Sequence, residues 1–344
     1  MQRDYIKYPL KFKPVFKQTI WGGKKIASFM GDLEREDGVS EENIGECWGV
    51  SAVDGYESVV VNGHLKGMSL PEVASIFGKK LLGKRNSERF GKSFPLLVKF
   101  IDAAKDLSVQ VHPNDLLAGE RHGCSGKTEM WYVIDAGSSA TLLSGFSKDI
   151  SKDDFARMSG KEILDSLERF NINNGDLFYL PAGTVHSIGA GAFIAEIQQS
   201  SDITYRIYDF DRQDTSGKKR ALHTELALEA IDFTIRGEAC KIPYKGPDVE
   251  SNNVWDSAFE AVNGKYFSTS VVKLDSTGFY TLNYAHLDSF VIITCVGGAA
   301  TLHYGNGEQM NIHCGDVILL PADLQEVKME LQQGVKLEFL ETHI

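Results

Sequence analysis

The sequence has few cysteines, no long apolar segment and less positive than negative charge. Its five cysteines are scattered, and no two have the two-residue spacing of a thiolate metal site. We therefore expect neither a disulfide framework nor a structural thiolate zinc site. The longest mainly apolar run, residues 290–296, is far too short to cross a bilayer as a helix.

Positively charged residues are fewer than negatively charged ones. The chain has 36 Lys and Arg residues against 47 Asp and Glu residues, which gives a net charge of −11. Nucleic acids and anionic membrane surfaces bind basic patches, so we expect neither as a partner. The N-terminal residues include Arg3, Asp4 and Lys7 and no apolar segment. This predicts that there is no signal peptide and that the protein is cytoplasmic.

Length and composition indicate a folded protein of more than one domain. A chain of 344 residues suggests two domains. The apolar fraction of 42% and the charged fraction of 24% are ordinary for a soluble globular protein. From residue 254 onward, short apolar segments alternate with turns, which favours a sandwich or barrel.

Helical spacing is limited to short segments, so the fold class we predict is mainly β. Residues 8–29 are strand-like, and residues 237–247 read as a linker. The predicted helices cover 70–80, 149–169 and 222–233.

An internal repeat relates two parts of the chain. The segment 175–182 matches the segment 315–322, and five of the eight positions are identical. In the same register, His186 corresponds to Glu326. The simplest account is two related jelly-roll domains, of which only the first carries a site.

The first copy of the repeat contains a turn followed by a histidine. Gly175 and Asp176 form a tight turn, because glycine accepts a positive φ and aspartate bonds to its neighbouring backbone. A short strand and a second turn follow, and His186 begins the next strand. Histidine is the commonest side-chain metal ligand, so a position at the mouth of a barrel suits ligation.

Strand alternation supplies possible partners for His186. Side chains two residues apart share a face of a strand. Ser108, Gln110 and His112 therefore share one face, and Lys127, Glu129 and Trp131 share a face of another strand. By the same rule, Glu196 lies on the face of Gln198, and Arg206 on that of Thr204 and Tyr208.

Four of these side chains form a possible metal site. In a jelly roll, inward positions of neighbouring strands converge, which allows Gln110, His112, Glu129 and His186 to meet. Two imidazoles, a carboxylate and an amide oxygen suit Zn²⁺ or another first-row divalent ion. Each residue alone has a simpler interpretation as a polar side chain on a half-exposed strand or turn. Four ligand types on correctly phased positions favour the metal.

The motifs resemble those of type I mannose-6-phosphate isomerases. The resemblance covers the first 240 residues in motif order, and the remainder fits the family's second cupin-like domain. One departure is Lys-Thr-Glu at 127–129, where Lys-Pro-Glu is common, and the chain is similar to the compact bacterial members. The motifs that carry the resemblance are Ile20–Gly23, Leu107–Asp115, Lys127–Met130, Pro181–His186 and Thr204–Asp209.

The resemblance implies a fold, an activity and residue roles. It implies a metal-binding catalytic cupin domain with helical segments over 1–240 and a degenerate cupin-like jelly roll over 241–344. It also implies one Zn²⁺ per chain and interconversion of mannose 6-phosphate and fructose 6-phosphate through an enediol. The implied metal ligands are Gln110, His112, Glu129 and His186; the implied catalytic residues are Arg206, Glu196 and Lys127; and the implied substrate contacts are Lys99, Lys127, Arg206, Ser108 and Trp21.

Some residue roles have alternatives at this stage. The base could be Glu196 or a metal-bound water. Arg206 could bind phosphate or enediolate oxygens, or form a structural ion pair with Asp209 or Asp211. Lys127 could instead be a solvated lysine at the rim of the site.

Two other functions also stay open. An iron-dependent cupin oxygenase is disfavoured by Gln110 and the basic residues. A non-catalytic sugar-binding or regulatory cupin would lack ligands that this chain has. The expected partner is a small phosphorylated sugar, and we expect a monomer or weak homodimer.

Overall fold

The computed structural model describes residues 5–31, 42–213, 217–244 and 257–344. Strands outnumber helices in this part of the chain, as predicted. The helices are α1 (Lys25–Phe29), α2 (Leu70–Phe77), α3 (Lys79–Leu82), α4 (Lys84–Phe90), α5 (Asp115–His122), α6 (Lys152–Phe155), α7 (Gly160–Ser166) and α8 (Thr224–Ala230).

Twenty-two strands make up the described sheets. The strands before residue 245 are β1 (Leu10–Lys13), β2 (Val15–Gly23), β3 (Ile44–Val50), β4 (Val59–Val60), β5 (Leu96–Asp102), β6 (Val109–Val111), β7 (Glu129–Ala136), β8 (Thr141–Phe146), β9 (Leu167–Asn171), β10 (Leu177–Leu180), β11 (His186–Ile188), β12 (Ala192–Gln199), β13 (Tyr205–Tyr208) and β14 (Lys241–Ile242). The later strands are β15 (Ala258–Asn263), β16 (Ser268–Leu274), β17 (Gly278–Asn283), β18 (Val291–Tyr304), β19 (Glu308–His313), β20 (Val317–Leu320), β21 (Glu326–Leu331) and β22 (Leu337–His343).

Two antiparallel sheets form the first jelly roll. The larger has seven strands in the order β14-β10-β7-β12-β5-β3-β2, and the smaller has five in the order β13-β6-β11-β8-β9. An apolar cluster around Trp131 and Phe178 lies between the two sheets. A second cluster, around Phe146 and Tyr205, packs the five-stranded sheet against the helices α6, α7 and α8. Neighbours in both sheets come from distant parts of the chain, which places side chains far apart in sequence on one inner surface.

The third sheet contains the later strands and two early ones. Its ten strands include β1, which pairs with β20 through Leu10 and Leu319, and β4, which pairs with β1. The core between the two halves is apolar and includes Phe94 against Phe290, with ring centres 4.7 Å apart. The predicted boundary between two domains at residues 240 and 241 stays a prediction. Strands β1 and β4, from the start of the chain, belong to the same sheet as the later strands.

Capping residues explain where the first two of the three predicted helices begin. Ser69 accepts a bond from the Glu72 amide while the Glu72 side chain accepts one from the Ser69 amide, which is a capping box. The predicted helix over 149–169 is two short helices, α6 and α7, each with a serine cap. The prediction is wrong for the last residues, because the chain from Leu167 onward is strand β9, which pairs with β8.

Two further local interpretations are wrong. Residues 25–29 form α1 rather than strand, and the Asp102 carboxylate on β5 accepts a 2.7 Å bond from the Lys25 amide. Residues 237–242, read as linker, form a single-turn 3-10 helix (Gly237–Cys240) and β14, which pairs with Leu177 and Phe178. Both segments bind partners that are distant in sequence, and a local sequence pattern does not show such partners. The end of the predicted linker, from residue 245, lies outside the described residues.

Among the described helices, none has the length and apolar character needed to span a membrane.

Candidate metal centre and substrate cavity

The four predicted metal ligands lie on facing sheets of the first jelly roll. Gln110 is on β6 and His186 begins β11, and the two are direct partners in the five-stranded sheet. His112 follows β6 directly. Glu129 begins β7 in the seven-stranded sheet. The two inner faces thus bring together residues that are as much as 76 positions apart.

Three of these side chains form a buried cluster. His112, Glu129 and His186 offer ligand atoms that all lie within 4.8 Å of one another. The distances are 3.6 Å from His112 Nε2 to Glu129 Oε2 and 3.4 Å from His186 Nε2 to Glu129 Oε1. The Gln110 amide completes the set, with its Nε2 3.3 Å from His186 Nε2. His112, Glu129 and His186 are each at most 2% exposed, and Gln110 is half-buried.

Backbone carbonyls orient both imidazoles. His112 Nδ1 lies 2.9 Å from the Ile203 carbonyl oxygen, and His186 Nδ1 lies 2.9 Å from that of Thr184. An Nδ1–H donated to a carbonyl leaves Nε2 unprotonated and available to a metal. Burial and the nearby Lys127 lower the pKa of both histidines, that of His186 to about 4. Both are therefore neutral at pH 7, as ligation requires.

Glu129 shows why this cluster fits a cation. Its Oε1 is buried and has no hydrogen-bond partner. Burial raises the pKa of Glu129, and the charge of Glu196 raises it further, while Lys127 opposes the change. A buried carboxylate oxygen without a partner is costly. A divalent ion between Glu129 and the two imidazoles would relieve this cost, so the residues fit the predicted group.

Next to the cluster lies a chain of alternating charges. Lys127 Nζ is 2.5 Å from Glu129 Oε2, 3.0 Å from His112 Nε2 and 3.5 Å from Glu196 Oε1. Lys99 Nζ is 3.0 Å from the same Glu196 oxygen. The Trp131 indole donates a 3.0 Å bond to Glu196 Oε2. Lys127 is 3% exposed, so it is not a solvated lysine at the rim.

This arrangement keeps Glu196 ionised. Burial alone would favour its neutral form, but the charges of Lys127 and Lys99 outweigh burial and hold the pKa of Glu196 well below its usual range. Burial likewise disfavours the charge of Lys99, and Glu196 and Glu46 outweigh it and raise the pKa of Lys99. The site therefore contains a buried carboxylate held between two ammonium groups.

A cavity of about 330 Å³ opens in front of the charged chain. Every predicted catalytic and substrate-contact residue lines it, namely Trp21, Lys99, Ser108, Lys127, Glu196 and Arg206. Gln110 also lines it, whereas His112, Glu129 and His186 lie behind the lining. The structure thus brings the predicted site residues together around one cavity. Their individual roles are not decided by this placement.

Arg206 lies toward the mouth of the cavity. Its Nη1 donates a 2.9 Å bond to the Ala221 carbonyl oxygen, and its buried Nε has no hydrogen-bond partner. The alternative of an ion pair with Asp209 or Asp211 is wrong. Asp209 instead binds Arg212 and Arg220, and Asp211 pairs with Lys219.

Sequence reasoning missed four charged residues of the cavity lining, which are Lys17, Glu46, Asp202 and Arg220. Lys17 Nζ lies 3.5 Å from the centre of the Trp48 ring and 3.3 Å from Asp202 Oδ2. Alternation along β2 could have suggested Lys17. Arg220 is brought in by its two bonds to Asp209, for which the sequence carries no periodic signal.

Comparison with known proteins identifies relatives over most of the chain. The family model for the type I phosphomannose isomerase catalytic domain matches residues 10–129. The chain is 37% identical to mannose-6-phosphate isomerase ManA of Bacillus subtilis over 325 residues, covering 94% of this chain and 96% of that protein. It is 35% identical to a mannose-6-phosphate isomerase of Streptococcus mutans over 318 residues, covering 91% and 92% of the two chains.

Solved structures agree with the fold. A crystal structure of the mannose 6-phosphate isomerase from Bacillus subtilis superposes with a TM-score of 0.80 at 32% identity, covering 98% of this chain and 99% of that one. A putative mannosephosphate isomerase from Archaeoglobus fulgidus has the same fold, with a TM-score of 0.73 at 21% identity over 98% and 97% of the chains. The chain belongs to the type I phosphomannose isomerase family.

Proposed function

We propose that this member of the type I phosphomannose isomerase family interconverts mannose 6-phosphate and fructose 6-phosphate. One observation carries the proposal: a buried donor set for a divalent ion lies directly behind a cavity whose charged lining is five cations and three carboxylates. The protein as a whole is strongly acidic. A locally positive cavity in an acidic protein fits a small anion such as a sugar phosphate.

We propose that one Zn²⁺ per chain is held by Gln110, His112, Glu129 and His186. The nitrogen and oxygen donors and the absence of thiolates fit zinc with a position left for substrate. When bound, such an ion acts as a Lewis acid toward substrate oxygens. The two carbonyl bonds on the histidines keep their Nε2 atoms directed at Glu129 before any ion arrives.

The proposed reaction moves a proton between C1 and C2 of the sugar through an enediol. We assign the proton transfer to Glu196, because it is ionised, buried and in the wall of the cavity. A positioned base of this kind contributes about 10²–10⁴-fold. Lys99 and Lys127 lower the basicity of Glu196 in the free site. A substrate oxygen that engages either ammonium group would make Glu196 a stronger base during the reaction.

Two arginines are proposed to bind the phosphate. The ammonium groups deep in the cavity are neutralised by Glu46, Glu129 and Glu196, whereas Arg206 has no ion pair among the described residues. Arg220 lies beside it at the mouth, held by Asp209. Guanidinium groups suit bidentate bonds to phosphate oxygens. Trp21 and Ser108, which also line the cavity, would contact the sugar ring.

We also propose that the protein acts in the cytoplasm as a monomer or weak homodimer. The small phosphosugar is its expected partner, and relatives named mannose-6-phosphate isomerase support this expectation.

A coupled assay tests the function and the metal together. Protein treated with a chelator, the same protein restored with Zn²⁺, and untreated protein are each given mannose 6-phosphate. We expect fructose 6-phosphate to form in the untreated and restored samples, and the chelated sample to lose nearly all activity. A fully metallated protein that forms no fructose 6-phosphate would contradict the proposal.

Arg206→Ala tests the phosphate assignment in the same assay, with Arg206→Lys as the matched variant. Loss of the guanidinium should raise KM for mannose 6-phosphate by about tenfold or more, since a charged hydrogen bond is worth about 1.5–3 kcal/mol. Lysine keeps the charge and should restore part of the loss. An unchanged KM in Arg206→Ala would show that the phosphate binds elsewhere.

A further inference from the structure

The backbone that carries Lys127 is held at three consecutive amides. We call residues 126–128 the Lys127 segment. The Gly126 amide donates to Asp115 Oδ1 at 3.0 Å, that of Lys127 to the Pro113 carbonyl at 3.1 Å, and that of Thr128 to Gln199 Oε1 at 2.9 Å. All three residues of the segment are buried. Its path is therefore fixed by groups outside the segment itself.

Asp115 connects these bonds. Its Oδ1 also accepts a 2.9 Å bond from Gln199 Nε2, so Asp115 and Gln199 clamp the segment from two sides. The fit is close, because a Cβ on Gly126 would lie 2.6 Å from the Asp115 amide nitrogen. A shift of Asp115 would be passed directly to the Lys127 segment.

The other oxygen of Asp115 is bound by the C-terminal part of the chain. The Tyr266 hydroxyl donates to Asp115 Oδ2 at 2.8 Å. Tyr266 lies in the turn between β15 and β16, and contacts with earlier parts of the chain hold this turn. Arg89 Nη1 bonds to the Lys265 carbonyl, and the buried Phe267 ring packs edge-on to Tyr179. These contacts fix the turn that places the Tyr266 hydroxyl against Asp115.

We propose that Tyr266 is a positioning residue for the reaction, acting through Asp115 on the Lys127 segment. Lys127 makes contacts of 2.5 to 3.5 Å with Glu129, His112 and Glu196. A misplacement of about 1 Å in an active site can lower a rate about 10²-fold. The part of the chain without the metal ligands thus contributes to the site by fixing one lysine. The catalytic side of this inference rests on the proposed isomerase function.

Tyr266→Phe tests the inference, with Tyr280→Phe as the matched control. The Tyr280 hydroxyl also makes a 2.8 Å bond, to the Ser276 carbonyl within the C-terminal part. In zinc-loaded protein, we expect Tyr266→Phe to lower kcat about three- to tenfold, the equivalent of one hydrogen bond. KM should change less than twofold, and the thermal midpoint should match that of Tyr280→Phe. The control should keep the wild-type kcat.

Amide hydrogen exchange gives a readout that does not depend on activity. Peptides covering residues 126–129 should exchange several-fold faster in Tyr266→Phe and remain as in the wild type in Tyr280→Phe. Asp115→Ala should have a larger effect than Asp115→Asn, which keeps an acceptor for the Gly126 amide.

The outcomes separate this inference from the proposed function. Unchanged exchange over residues 126–129 in Tyr266→Phe would overturn the inference, and so would an equal loss of kcat in the control. A wild-type protein without isomerase activity would overturn the proposed function instead. The exchange result would then still decide whether Tyr266 positions the segment.

Discussion

The two copies of the repeated turn have nearly the same backbone and different surroundings. Gly175 and Gly315 have φ angles of 88° and 86°. The following aspartates, Asp176 and Asp316, each accept a 3.0 Å bond from the amide three residues before them. Each aspartate is also paired with a lysine from elsewhere in the chain, Lys241 in the first copy and Lys11 in the second. The turn is a structural unit that both copies keep.

The strands that pair with the two turns differ at the positions of the site. Leu180 pairs with Glu129, whereas Leu320 in the second copy pairs with Val291. His186 pairs with Gln110, whereas Glu326 pairs with Asn283. Glu326 is exposed, and His186 is buried. The second copy has the scaffold of a metal site without its ligands.

One carboxylate is present in both copies. Glu196 pairs with Trp131 next to Phe178, and Glu341 pairs with Ile293 next to Ile318, so the two occupy the same register. Both are 2% exposed. Glu196 lies between two lysines, while Glu341 pairs in the sheet with Ser270, where the first copy has Lys99. The two copies therefore share the buried carboxylate and differ in the lysine that pairs with it.

His186→Ala and Glu326→Ala should give the largest contrast. Loss of a ligand should abolish stoichiometric zinc and lower kcat/KM by about 10³-fold or more, which is about 4 kcal/mol of transition-state stabilisation. Glu326→Ala should leave both unchanged, because that side chain is exposed and has no place in the site. Metal analysis and the coupled assay measure the two effects. Unchanged zinc content in His186→Ala would refute the assignment of this ligand.

The next contrast is between the two carboxylates in the same register. Glu196→Gln should lower kcat by about 10²–10⁴-fold, because the amide cannot accept a proton. Its zinc content should remain as in the wild type, since Glu196 is not among the proposed ligands. Glu341→Gln should keep kcat within about twofold. If both variants were equally active, the proton transfer would have to be assigned to another group.

Replacing the turn aspartates should affect stability in both copies. Asp316→Ala should cost about 2 kcal/mol and Asp176→Ala about 1 kcal/mol, since each removes an amide acceptor and an ion pair. The second copy should lose more, because the Asp316 side chain is 4% exposed and that of Asp176 is 19% exposed. Thermal midpoints, with zinc present, would measure the order. The reverse order would show that burial does not set the strength of these pairs.

The smallest expected effect is that of Glu326→His. A histidine at this position would pair with Asn283. It would have no carboxylate partner, because Val291 stands where the first copy has Glu129. We expect one zinc per chain as before and an unchanged isomerase rate. A second equivalent of tightly bound zinc would show that one histidine on this scaffold is enough.

The local pattern predicted a large share of the site. Alternation placed Gln110 and His112 on one face and Lys127 and Glu129 on another, because the two-residue period of a strand is set by the backbone alone. The repeat indicated two jelly rolls, and the turn placed His186 at the first position of β11. These features depend on a few neighbouring residues, so they can be read from the sequence.

Only the tertiary structure decided which distant groups meet. The sequence indicated that Arg206 and Asp209 lie close along the chain, but Asp209 binds Arg212 and Arg220. It gave no sign that Asp102 would cap α1 or that Tyr266 would bind Asp115. Such partners depend on strand order, register and the packing of sheets, which result from the burial of the whole apolar core. The sequence by itself determined the chemistry of each side chain and the strand face on which it lies. The tertiary structure decided which of these strand faces come together.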